Sequence, residues 1–79
     1  MPQSKNSIPE YKEILMAELK DRLGRFVVPH VAAKASYSDS YVRSWFNSAR
    51  INDHIKSSAI DLLDELKAEE RKTLEVISQ

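Results

Sequence analysis

Residues 31–48, VAAKASYSDSYVRSWFNS, contain two short apolar sets interrupted by the break Ser36-Tyr37-Ser38. Val31, Ala32 and Ala35 make the first set and Val42, Trp45 and Phe46 the second, at the three- and four-residue spacing that gathers side chains on one helical face. The spacing predicts two helices, over residues 29–35 and 39–47, whose facing stripes make one small core. Ala32 suits a steep crossing of the two, because a large side chain there holds the backbones apart. Ser38 is placed to cap the second helix by accepting a hydrogen bond from its first turn, and Asp39 sits against the positive end of the dipole.

A chain of 79 residues, 42 % of them apolar, builds one domain over residues 1–79 around a modest core and leaves no room for a second. Extra stability at this size can come from a partner. Cysteine is absent, which excludes disulfides, thiolate nucleophiles and sulfur-ligated metals and fits an intracellular setting. No apolar run reaches membrane-spanning length, and the polar start lacks the basic-then-apolar order of a signal peptide, so a soluble cytoplasmic protein is expected.

The formal net charge is zero, but its distribution is uneven. Residues 1–19 carry two basic and three acidic groups, residues 20–56 seven and three, and residues 57–79 three and six, giving −1, +4 and −3. A basic middle holding the two-helix unit and an acidic tail suit a groove-binding unit with a solvated or partner-facing end. Solubility alone also produces such patterns, so the charge adds only a little weight.

Residues 1–8 read as a flexible lead-in, polar and aperiodic over 1–7. A first helix is expected over residues 9–23, with Ser7 as its cap, Pro9 at its first position and Gly24, the only glycine, as its left-handed stop. Its stripe of Tyr11, Ile14, Leu15, Leu19 and Leu23, with Phe26 just beyond, can cover the two-helix unit. Phe26-Val27-Val28 before Pro29 favours an extended linker, Pro29 then opening the next helix. Residues 48–52 are a connection, and Asn52 or Asp53 caps a helix carrying Ile55, Ala59, Leu62, Leu63 and Leu66. Beyond Leu66 the helix either runs on to about residue 77 or folds back. The apolar stripe fades over residues 67–72 and returns as Leu74, Val76 and Ile77; a fold-back packs these on the chain's own core, whereas a protruding helix makes 67–79 an oligomerisation extension that buries them against a second copy.

The central stretch resembles the helix-turn-helix of the phage repressor and Cro-like family. Val31-Ala32, Tyr37, Ser38, Val42 and Trp45 stand at the family's apolar-Ala pair, its turn and its recognition helix, and Phe46-Asn47 is similar to the pair that follows. The likeness is firm over about half of the chain and extends more weakly through residues 53–66. Two positions depart from the pattern. Ser36 replaces the usual turn glycine, and if its backbone is left-handed the side chain costs on the order of 1 kcal/mol. Val28 replaces a polar residue with which relatives brace the DNA. The resemblance implies an all-α bundle of four to five helices that contains a helix-turn-helix and a long C-terminal helix. It also implies sequence-specific binding of double-stranded DNA by a small repressor-like regulator, acting as a homodimer.

With Val42, Trp45 and Phe46 turned inward, a helix advancing about 100° per residue presents Ser40, Arg43, Ser44 and Asn47 outward, with Asp39 and Tyr41 at the leading end. Arg43 is the side chain there able to grip guanine bidentately. Ser40 and Ser44 bond several base edges, Asn47 serves adenine or a phosphate, and Asp39 can accept from cytosine. Ser38, Lys34, Arg50 and Lys56 complete the expected DNA-binding set, the three cations as phosphate contacts. Tyr37 and Trp45, at core spacing, read as packing rather than as base-stacking platforms.

No catalytic residues, metal site or cofactor are expected, since His30 and His54 stand at no metal spacing and no glycine-rich phosphate cradle is present. The alternative function is a protein-interaction module on the same fold, such as an antitoxin or mobile-element accessory regulator, taking a protein partner through the acidic C-terminal helix.

Overall fold

The computed structural model describes residues 8–78, which are α-helical apart from short connections and contain no strand. The lead-in over residues 1–7 and the Ser7 cap lie outside the described residues; Ile8, the last residue of that expected lead-in, is half-buried. Helix α1 (Glu10–Leu23) starts from Pro9, which precedes the helix instead of opening it, with φ −55° and ψ 141°. Glu10 and Glu13 lie in its first turn, where their charge complements the helix dipole. Gly24 stops it at φ +61°, its N–H bonded to the Lys20 carbonyl, a backbone state that a side chain would disfavour.

The segment read as an extended linker is helical. A 3₁₀ turn (Gly24–Phe26) passes straight into α2 (Val27–Ala35), so this helix begins two residues before Pro29. Two facts make that acceptable. Pro29 still lies in the first turn, where its missing N–H forfeits no helical bond. Helical backbone also carries Val27 into line with Val31 and Ala35, and all three are buried; that burial outweighs the extended preference of a residue before proline.

Helix α2 ends at Ser36, left-handed at φ 62° and ψ 41°, and Ser36 and Tyr37 both direct their N–H groups to the Ala32 carbonyl. Helix α3 (Asp39–Phe46) then starts at Ser38, whose Oγ accepts the Tyr41 N–H at 3.2 Å. Asn47 terminates this helix rather than lying within it. Of the two cap candidates for α4 (Asp53–Ser78), Asn52 is the one used, its Oδ1 accepting the Ile55 N–H at 3.1 Å. Helix α4 runs unbroken for 26 residues, so the chain beyond Leu66 continues outward and does not fold back.

The core is one cluster: Leu15 and Leu19 of α1, Val27, Val31, Ala32 and Ala35 of α2, Val42, Trp45 and Phe46 of α3, and Ile55, Ala59, Leu62 and Leu63 of α4. Ala32 is 2 % exposed, as its place between crossing helices requires. Trp45 is fully buried with the Phe46 ring edge-on at 4.9 Å and Tyr11 at 6.3 Å. Ile14 and Phe26 do not join the core; they are 55 % and 51 % exposed. The buried line of α1 is instead Lys12, Leu15 and Leu19. Two ion-pair groups bind α4 to the body: Arg22 with Glu18 and Glu70, at 3.0 and 2.9 Å, and Lys34 with Glu65 at 2.8 Å. Among the described residues no helix is long and apolar enough to cross a membrane.

Candidate nucleic-acid interface

Helix α3 divides cleanly into two faces. Val42, Trp45 and Phe46 are buried, while Asp39, Ser40, Arg43 and Asn47 are exposed; Ser44 and Tyr41 lie at the margins, half-buried. Ser44 is occupied through its backbone, its carbonyl accepting the Ser48 hydroxyl at 2.8 Å. Ser38 Oγ is taken up as the cap. The Arg43 side chain makes no hydrogen bond, ion pair or ring contact with the described residues.

The other cations expected at the interface differ in how far they are engaged. Lys34 is paired with Glu65, whose hydrogen bond is the chief reason its pKa is raised. Lys56 is half-buried with its ammonium 4.6 Å from the Tyr11 ring centre. Arg50 is exposed in the connection after α3, its guanidinium 5.2 Å from the Tyr41 ring centre. Of the four, Arg43 alone has neither an ion pair nor a ring contact among the described residues.

The carboxyl end of α3 is held by a residue that sequence reading passed over. Lys12, 1 % exposed, donates to the carbonyls of Trp45, Ser48 and Arg50 at 2.6, 2.8 and 2.7 Å, and its ammonium lies 4.2 Å from the Trp45 ring centre. An ammonium has three donors and no acceptor, so three carbonyls satisfy it completely. A cation is also what the negative end of a helix dipole favours, and the indole face adds a cation–π contact. Burial first, and then the like charge of Arg50, push its pKa below the usual lysine range. A signal for this was present: Lys12 stands three residues before Leu15 and seven before Leu19, in the place a core residue would take.

A second cluster surrounds the leading end of α3. Tyr37, expected in the core, lies at the surface, 40 % exposed, stacked on Tyr41 at 4.9 Å and 29°, with the His54 ring edge-on at 6.0 Å. Asn52 Nδ2 donates to the hydroxyls of both tyrosines at 3.3 and 3.4 Å. That hydrogen bond, and then Arg50, hold the Tyr41 phenol below the ordinary tyrosine range. His54 Nε2 bonds the Ala35 carbonyl at 3.0 Å, closing the end of α2, and His30 Nδ1 bonds Phe26 O at 2.8 Å.

Among the described residues no group of three metal-ligating side chains gathers. An open hollow of about 500 Å³ lies between Arg22 of α1 and Leu66, Glu69, Glu70, Thr73 and Leu74 of α4, away from α3. Compared with family models, curated proteins and solved structures, the chain matches none.

Proposed function

We propose that residues 27–46 act as a helix-turn-helix, with α3 entering the major groove of double-stranded DNA, and that the protein is a small regulator of repressor type. The observation that carries this is Arg43: an unengaged guanidinium on the exposed face of a short helix whose opposite face is the core. Bidentate contact with guanine needs such a free, planar donor pair. Ser40 and Asn47 flank it on the same face, and Asp39 at the leading end adds selectivity rather than affinity, since it repels phosphates.

Dimerisation through the end of α4 belongs to the same proposal, because two copies read two half-sites and gain specificity. Leu74, Val76 and Ile77 are 63 %, 72 % and 73 % exposed there. That same acidic, apolar-tipped end favours the second reading, a module that binds a protein partner through α4.

A salt titration on random duplex DNA separates the two. Phosphate contacts release counterions, so a DNA binder loses affinity steeply as salt rises, whereas a protein-only module shows no such binding.

A further inference from the structure

Asn52 is used at both ends of its side chain. Its Oδ1 accepts the Ile55 N–H, and a backbone N–H requires an oxygen, so this bond settles which way the amide lies. Nδ2 therefore faces Tyr37 and Tyr41. It carries two hydrogens and accepts none, so each phenol oxygen receives one and must direct its own hydrogen elsewhere. Neither hydroxyl has an acceptor among the described residues. The stacked rings hold the two O–H groups side by side, and the Arg50 guanidinium lies over Tyr41.

We propose that Tyr37 and Tyr41, oriented by Asn52, form with Arg50 a clamp for one phosphodiester of the DNA that α3 reads, an inference that rests on the DNA-binding proposal above. Two outward hydroxyl donors beside a guanidinium match a group with several anionic oxygens. Both phenol oxygens lie within 3.4 Å of the same nitrogen, so one phosphate can meet both. Tyr37 precedes α3 and Tyr41 is in its first turn, which sets the clamp at the leading end of the helix, where the DNA backbone borders the groove. The clamp positions α3 and carries no base preference itself.

Tyr37→Phe and Tyr41→Phe remove the hydroxyls and keep the stacked rings. With the full chain and a duplex selected from a random pool, each change is expected to weaken binding roughly 3- to 10-fold, and by the same factor on random duplex. The salt slope stays as in the parent, because no charge is lost. Replacing single phosphates by neutral methylphosphonate locates the partner: one position weakens the parent by more than it weakens the double variant, in which Arg50 alone still meets that phosphate. Melting curves establish that the variants fold, and the single changes carry the test if the double variant does not. Phe variants that bind like the parent overturn the clamp and leave duplex binding standing. A parent without salt-dependent duplex binding overturns both.

Discussion

The Lys12 ammonium lies 2.6 Å from the carbonyl of Trp45 and 4.2 Å from the centre of the same residue's indole ring. One side chain from α1 thus closes the end of α3 and covers its largest core residue. Because the same ammonium also holds the carbonyls of Ser48 and Arg50, it sets the path of the connection on which Arg50 stands. The pose of α3 on the body is fixed from its carboxyl end, leaving its leading end exposed.

Lys12→Met keeps the apolar stem and removes the charge, stranding three carbonyls. Stability should fall by about 3 kcal/mol, seen as a lower urea midpoint. Lys12→Arg should recover little, because a flat guanidinium cannot converge on three carbonyls as an ammonium does. An unchanged midpoint for the Met variant would mean that the cap contributes nothing.

Ser36 is the only residue other than glycine with positive φ among the described residues. Ser36→Gly should relieve that strain and raise stability by about 0.5 to 1 kcal/mol, less the added freedom of the unfolded chain. Thermal unfolding measures it, and destabilisation would show that the left-handed state is not costly here.

Arg43 and Arg50 should fail differently. Arg43→Ala is expected to lose roughly 1 to 3 kcal/mol on the preferred site and relax base preference at one position. Arg50→Ala should weaken preferred and random DNA equally and reduce the salt slope by about one. If selection from a random pool returns an equally sharp preference for Arg43→Ala and the parent, Arg43 reads no base.

Deleting residues 68–79 should yield a folded monomer that binds its operator more weakly, since the core cluster ends at Leu63 and the side chains of residues 68–77 are exposed. Sedimentation of the full chain gives the check. A monomer at high concentration rules out the dimer.

Tyr41 should ionise below the 10.0 of an ordinary tyrosine, chiefly through the Asn52 hydrogen bond and then Arg50. The sign follows from linkage: an acid whose pKa is depressed on folding contributes stability that is present above its unfolded pKa and lost as pH falls through the folded one. Tyrosinate absorbance should show an early component that Tyr41→Phe abolishes and Arg50→Ala moves upward. A titration in which all tyrosines ionise together would contradict the arrangement.

Local chemistry made much of the chain legible before any fold was known. Gly24 as a left-handed stop, Ser38 as a cap and the inward set Val42, Trp45 and Phe46 depend on neighbours within a turn, and such interactions are written in adjacent residues. The all-helical class follows from the same periodicity. What tertiary structure alone decided concerns residues whose partners are distant in sequence. Lys12 is buried because the end of α3, 33 residues away, supplies it with a carbonyl. Val27 is helical because α2 must complete a stripe, and Ile14 and Phe26 are exposed because none of the described helices covers them. Tyr37 left the core for a stack held by Asn52, 15 residues on. Spacing along a helix says which side chains share a face; only the packing of the other helices says which face is covered, and whether a polar atom there finds its partner.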